Sequence, residues 1–241
     1  MPALPISLVV GLGNPGREYE DTRHNAGFWW VDQLASRVNG AFRADSKFSG
    51  HVAKSTQGSV LWLLKPATFM NRSGIAVGAL AKFYRIEPAQ VLVVHDELDL
   101  PAGEAKLKLG GSHGGHNGLK DIDAHLGTRD YWRLRLGIGH PRALAKPGSS
   151  SIEVVDYVLQ RPDVADTRAI EDAMHRSIDI WEIMAAGDFE AAMLKLHTKP
   201  SVPKPPKPPK TAAQSLAPRI AVANESPNTT PNETPIKKAT P

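Results

Sequence analysis

Gly11-Leu-Gly-Asn-Pro-Gly-Arg-Glu-Tyr-Glu-Asp-Thr-Arg-His-Asn-Ala-Gly27 is the densest polar cluster that follows a strand-like run in this chain. The residues leading into it, Ile6-Ser-Leu-Val-Val10, are apolar and β-branched, so Gly11 to Gly16 should emerge at the carboxyl edge of a buried strand, where open α/β sheets keep their sites. His24 then falls at the mouth of a cleft. Gly11, Gly13 and Gly16 have the spacing of a dinucleotide fingerprint, but that motif needs a helix to start at once so that its N-terminus meets the pyrophosphate. Here Arg17 to Asn25 intervene, and the acidic residue at the expected distance, Asp32, falls inside the first helical pattern. A dinucleotide cofactor is not expected.

Helical spacing runs from Ala26 to Val38, with Phe28, Val31, Leu34 and Val38 on one side. Strand-like runs follow at Lys47–Lys54 and Ser59–Lys65, joined by Ser-Thr-Gln-Gly as a hairpin loop. Lys65-Pro-Ala-Thr-Phe-Met-Asn-Arg-Ser-Gly74 reads as a strand-to-helix turn, and local sequence favours Asn71 as the cap of a helix reaching about Tyr84. A fourth strand, Val91–Val94, ends in His95-Asp-Glu-Leu-Asp99. Glu104–Leu109 and Tyr131–Ile138 alternate as strands, the latter with Arg133 and Arg135 on one face, and between them a glycine loop opens a helix from about Leu119. After His140-Pro141 a polar connection to Ser151 reads as a lid. Helices then cover Ile152–Leu159, Val164–Ala186 and Phe189–His197. One α/β domain with a mixed sheet accounts for this order.

Composition sets the boundaries. Residues 199–241 hold 11 of the 20 prolines and no aromatic residue, too little apolar surface to offset the entropy of ordering them, so a disordered, Pro/Lys-rich tail is expected after a domain spanning 1–198. The tail carries 7 Lys/Arg against 2 Asp/Glu, which leaves 22 against 23 for the rest of the chain. A nucleic-acid partner therefore cannot be argued from bulk charge and would have to rest on a local basic patch. Its Pro203-Lys-Pro-Pro-Lys-Pro-Pro-Lys210 stretch should be extended, either inert or a weak electrostatic tether to RNA. The absence of cysteine removes disulfides and thiolate chemistry and suits a cytoplasmic protein. No run approaches the roughly 18 apolar residues of a membrane span, and the N-terminus lacks the basic region of a secretory signal.

Two motifs compete for chemistry. Gly110-Gly-Ser112-His-Gly114 matches the nucleophile elbow in letters, with Asp121 or Asp156 and His175 as partners, although the following helix starts too late for a sharp strand-to-helix turn. His113 and His116 lack a nearby carboxylate or cysteine pattern that would mark a metal site. The stronger pairing is His24 with Asp96, both expected at one sheet edge. An imidazole can take a proton from water near neutral pH, and a carboxylate on its other nitrogen fixes the tautomer. Asn14, Asn71 and Asn117, at the ends of three segments, can supply donors and acceptors without charge.

Val10-Gly-Leu-Gly-Asn-Pro-Gly16, Thr22-Arg-His-Asn-Ala-Gly27, Lys65-Pro-Ala-Thr-Phe-Met-Asn71, His95-Asp-Glu-Leu-Asp-Leu-Pro101, Gly114-Gly-His-Asn-Gly-Leu-Lys120 and Arg133-Leu-Arg-Leu-Gly-Ile-Gly-His-Pro141, in this order, resemble bacterial peptidyl-tRNA hydrolase over residues 6–197. The resemblance implies a single domain around a twisted mixed β-sheet flanked by helices. It also implies a monomeric, cofactor-free and metal-independent enzyme that cleaves the ester joining a peptide to the ribose of tRNA. By the same resemblance His24 is the general base and Asp96 its support, and Asn14 tells a blocked amino group from a free one. Tyr19, Phe69, Asn71 and Asn117 line the cleft, and Lys108 and Arg135 grip tRNA phosphate. Ser112 departs from the family's glycine, and 142–151 is variable there. The remaining alternative is an RNA-binding protein without catalysis.

Overall fold

The computed structural model describes residues 4–55, 60–144 and 152–198. Its strands are β1 (Leu8–Gly11), β2 (Arg43–Asp45), β3 (Gly50–Ser55), β4 (Leu61–Pro66), β5 (Val91–Glu97), β6 (Ala105–Leu109) and β7 (Trp132–Gly137). They form one mixed sheet in the order β2-β3-β4-β1-β5-β7-β6. The apolar runs of β1 and β5 go to the middle, β1 between parallel β4 and β5, and β5 between parallel β1 and β7. The outer pairs β2–β3, β3–β4 and β6–β7 are antiparallel. Strands with helices on both faces must be apolar on both, and Leu8, Val9 and Val10 are all fully buried.

The helices are α1 (Ala26–Arg37), α2 (Ser73–Tyr84), α3 (Asn117–Leu126), α4 (Val154–Val158), α5 (Val164–Ile178), α6 (Trp181–Ala185) and α7 (Phe189–His197). Alternate strand residues feed two cores. Val9, Leu63, Leu92, Val94, Leu134 and Leu136 pack with Trp30, Leu34, Ile170, Met174 and Trp181 of α1, α5 and α6. Leu8, Val10, Leu64, Val91 and Val93 pack with Val77 and Leu80 of α2 and with Leu119 and Ile122 of α3.

The glycines of the opening stretch serve this packing. A Cβ on Gly11 would meet the carbonyl of Gly27, and one on Gly27 would meet the backbone of Leu12 and Val94, so α1 lies directly against the ends of β1 and β5. The chain reaches α1 only after two short 3-10 turns, Arg17–Tyr19 and Arg23–Asn25, and no helix begins at Gly16. Gly11 and Gly13 are therefore there for close packing, against Gly27 and the Phe28 ring, and Gly16 for its positive φ of 112°.

Four local expectations are refined. The strand expected from Lys47 begins at Gly50, because Asp45 accepts from the Lys47 backbone N–H at 3.0 Å and closes a 3-10 turn over Ser46–Phe48. The strand expected to end at Val94 continues to Glu97, paired with β7 as far as Gly137, so Asp96 is held by a strand and not a loop. The stretch Val164–Ala186 divides into α5 and α6, and the turn between them lets Ile180, Trp181 and Met184 bury. Asn71 does not cap α2: it lies in a 3-10 turn over Met70–Arg72, and the cap position is Arg72. Of the expected hairpin loop 55–58, Ser55 ends β3 and the rest lies outside the described residues, as do most of the expected lid and the expected tail 199–241.

Candidate active site

The carboxyl ends of β1, β4 and β5 and the loop before α3 surround a cleft of about 620 Å³. His24, Asp96, Asn14, Phe69, Asn71 and Asn117 all line it. Of the other expected residues, Tyr19 meets Phe69 edge-on at the rim, with ring centroids 6.3 Å apart. Lys108 and Arg135 lie on the β6–β7 ribbon and do not line the cleft.

Asp96 is the hub. Its side chain is buried, and His24 Nδ1 lies 2.9 and 3.0 Å from its two oxygens. A carboxylate can only accept here, so Nδ1 carries the proton and Nε2 keeps its lone pair. The second partner is His116, whose Nε2 is 3.1 Å from Asp96 Oδ1. His116 is also the N-cap of α3, its Nδ1 accepting from the backbone N–H groups of Gly118 and Leu119 at 3.2 and 3.4 Å. That contact fixes the His116 proton on Nε2, so Asp96 receives two imidazole N–H bonds. A carboxylate partner for His116, unexpected from sequence, is thus supplied by a strand twenty residues away.

Charge follows geometry. Burial disfavours protonation of His24, but the charge of Asp96 and its hydrogen bond outweigh burial and raise the His24 pKa above its ordinary value. Burial works against ionisation of Asp96 as well, yet the two histidines hold its pKa well below the usual carboxylate range. His95, fully buried beside them, is pushed down to about 3 by burial and by His116, so it is neutral. Its Nδ1–H donates to the Asp96 carbonyl at 2.7 Å. His24, Asp96 and His116 form the one group of metal-ligating types among the described residues, and their separations are those of hydrogen bonds.

Asn14 is equally constrained. Its Oδ1 accepts from the Met70 backbone N–H at 2.8 Å. Its own backbone N–H donates to Asn25 Oδ1 at 2.8 Å, and Asn25 Nδ2 donates to its carbonyl at 3.0 Å. Backbone groups have fixed roles, so the amide orientations follow: Asn14 Oδ1 is engaged by Met70, and its Nδ2 has no partner among the described residues. Asn25, adjacent to His24, was not singled out from sequence, and its presence within Thr22–Gly27 was the available signal. Asn71 and Asn117 are exposed and make no side-chain hydrogen bond among the described residues.

The elbow geometry is absent. Ser112 is exposed, its hydroxyl accepts from the Gly114 N–H at 3.4 Å, and the helix begins only at Asn117. On the ribbon, Lys108 stands opposite Arg133 and Lys106 opposite Arg135. Arg133 is buried, donating to the carbonyls of Ser112 and Gly111 at 2.8 Å each, and so braces the glycine loop. Arg135 pairs with Glu97 at 2.8 Å, whereas Lys108 is exposed with no acidic partner among the described residues.

A family model described as peptidyl-tRNA hydrolase matches residues 8–204. The chain belongs to the peptidyl-tRNA hydrolase family. It is 55% identical over 195 residues to the peptidyl-tRNA hydrolase of Nitrosospira multiformis, covering 80% of this chain and 98% of that one. It is 57% identical over 196 residues to that of Neisseria meningitidis, with the same two coverages. Among solved structures it is similar to the peptidyl-tRNA hydrolase of Acinetobacter baumannii, with a TM-score of 0.73 and 43% identity over 79% of this chain and 94% of that one. This member of the peptidyl-tRNA hydrolase family therefore shares the mixed α/β sheet of its relatives. No helix among the described residues is long and apolar enough to cross a membrane.

Proposed function

We propose that this peptidyl-tRNA hydrolase family member cleaves the ester between a peptide and the ribose 3′ oxygen of tRNA by direct attack of water, with His24 as general base. The single observation that carries this reading is that Asp96 holds the Nδ1–H of His24 and leaves Nε2 open in a cleft. Nε2 takes a proton from water as the oxygen adds to the ester carbonyl, and the resulting imidazolium, stabilised by buried Asp96, gives that proton to the departing ribose oxygen. An ester has a better leaving group than an amide, so an activated water aided by fixed dipoles suffices and no nucleophilic side chain is required. The amides of Asn71 and Asn117, uncommitted to other groups, are placed to donate to the developing oxyanion.

Selection falls to Asn14. With its oxygen turned to the Met70 N–H, the side chain presents its Nδ2 donors, which suit the carbonyl of an N-acyl group. A free aminoacyl group presents an ammonium instead, and donor facing donor leaves buried groups unpaired, at about 1–3 kcal/mol. Tyr19 and Phe69 form an aromatic rim for the tRNA end, and Lys108 and Arg135 contact its phosphates. The enzyme acts as a monomer in the cytoplasm, with 1–198 as the catalytic unit and 199–241 dispensable for turnover.

The test is hydrolysis of N-acetyl-aminoacyl-tRNA against its unblocked counterpart. Rapid release from the first and little from the second is expected, and His24→Ala should abolish turnover while tRNA binding persists. Binding without turnover by the wild-type chain would instead identify an RNA-binding protein. Undiminished turnover in His24→Ala would dismiss the base.

A further inference from the structure

Arg23, the residue before the base, is 5% exposed and spans two parts of the fold. Its backbone N–H donates to the Gln160 carbonyl at 3.1 Å. Its Nη1 reaches the carbonyls of Gln160 and Arg161 at 3.3 and 3.0 Å, and its Nη2 pairs with Asp166 in the first turn of α5 at 3.2 Å. The guanidinium also lies over the Tyr157 ring, 4.2 Å from its centroid, and the Tyr157 hydroxyl donates to the Ile138 carbonyl at 2.7 Å. The contacts of Arg23 with Tyr157, Gln160 and Arg161 bear on α4 and the turn that follows it, and the one with Asp166 ties that turn to the start of α5. Helix α4 and its C-cap supply the apolar side of the cleft through Val154, Val155, Val158 and Leu159, facing the polar side made by Asn14, His24 and Asp96.

A helix of five residues with two buried side chains has little of its own to hold it. Val154, Val155 and Leu159 are 40%, 60% and 37% exposed and Val158 alone of the four cleft-facing residues is buried, so burial of this face anchors the wall only at one point. Beside buried Tyr157, whose hydroxyl holds the Ile138 carbonyl, the polar anchor of this wall is Arg23. Its planar fork can satisfy two carbonyls and a carboxylate together, which a lysine ammonium on a flexible stem cannot do with the same geometry.

We propose that Arg23 is a positioning residue that docks the α4 wall onto the cleft, so that the residue next to the base sets the affinity for the apolar side chains of the peptide being released. The inference rests on the ester-hydrolase reading above and assigns its substrate class: peptidyl groups carrying apolar side chains near the ester. The side chains of the polar half of the cleft are held by bonds that do not involve the Arg23 side chain, through Asp96 on β5 and Asn25 against the Asn14 loop. Loss of the clamp therefore affects binding of the peptide and leaves the chemical step in place.

The experiment compares kcat and KM of the full chain and its Arg23→Gln variant on two substrates, N-acetyl-leucyl-leucyl-tRNA and N-formyl-glycyl-tRNA. KM for the first should rise about tenfold, the factor that corresponds to the net loss of one charge-assisted hydrogen bond. KM for the second should change less than about threefold, with kcat near wild type for both, the pattern of lost uniform binding. Equal KM effects on the two substrates, or a fall in kcat at constant KM, would overturn the proposal. If Arg23→Gln does not fold, Asp166→Asn breaks the far end of the same clamp and should give the same split with smaller amplitude, and its absence likewise overturns it. If the wild-type chain hydrolyses neither substrate, the ester-hydrolase reading fails separately. Amide hydrogen exchange then tests the clamp alone, with faster exchange in α4 but not in β5 expected for the variant, and unchanged α4 exchange ruling it out.

Discussion

Replacing Asp96 by asparagine is the sharpest perturbation of the proposed chemistry, because the side chain keeps its shape and loses only charge and acceptor capacity. In the native site its oxygens receive His24 Nδ1–H at 2.9 and 3.0 Å and His116 Nε2–H at 3.1 Å. An amide has one oxygen and one NH2, and because His24 Nδ1 lies against both carboxylate oxygens it meets the NH2 in either amide orientation. His24 relieves that contact by moving its proton to Nε2, which removes the lone pair that accepts from water. The electrostatic effect acts in the same direction. Burial alone lowers the His24 pKa and only Asp96 raises it, so Asp96→Asn should bring it below the ordinary value of about 6.5. In the wild-type chain kcat/KM should fall as pH drops through a value above 6.5, whereas in the variant this acid limb moves to lower pH. The positioned base contributes on the order of 10² to 10⁴ in rate, and most of that should disappear at neutral pH with KM little changed. The assay is release of N-acetyl amino acid from tRNA under single-turnover conditions between pH 5 and 9. A variant within about threefold of wild type, with its acid limb unmoved, would refute the assignment of His24 and Asp96 as base and support.

Other predictions address selection, tRNA binding and stability. Asn25→Ala strips both partners from the Asn14 backbone, so the preference for blocked over unblocked substrate should fall about tenfold; a preserved ratio would show that Asn14 is placed without it. Lys108→Ala should weaken tRNA binding and lower the salt slope by about 1 with kcat intact, and Arg135→Ala should do less because Glu97 already occupies that guanidinium; an unchanged slope for Lys108→Ala removes it from the phosphate contacts. His95 is at about 3 in the folded chain and near 6.5 unfolded, so the stability it contributes above pH 6.5 is lost as pH falls toward 3, by about 1.4 kcal/mol per unit. Asp96 adds to that loss at still lower pH, since its depressed value gives stability above the ordinary carboxylate range only. His24 has the opposite sign: its contribution is complete below about 6.5 and is lost as pH rises through its raised value. Urea midpoints should therefore peak near pH 6.5, and His95→Gln should flatten the acid side; an equally steep acid limb in that variant would assign it to other groups.

The order of strands and helices was readable because burial on both faces demands continuous apolar runs, as in Val91–Val94, and half-buried helices demand 3.6-residue spacing, as in Ala26–Arg37. The linear motifs also singled out His24, Asp96, Asn14, Asn71 and Asn117 as one set, and the structure gathers all five around one cleft. Local sequence failed where a long-range contact decides a residue's role. Asn71 has the composition of a cap, yet its segment is turned into the cleft and the cap position falls to Arg72. His116 looked like a loop histidine, and only the crossover that brings α3 beside β5 gives it Asp96 as a partner. The free donors of Asn14 depend on a backbone N–H 56 residues away, and the burial of Arg23 depends on carbonyls 137 and 138 residues away. What the amino-acid sequence determined by itself was periodicity and the inventory of chemical groups, because both are local properties of the chain. Tertiary structure alone decided which nitrogen carries a proton, which amide face is free and which wall is clamped, because each is set by a hydrogen-bond partner that the fold brings from another element.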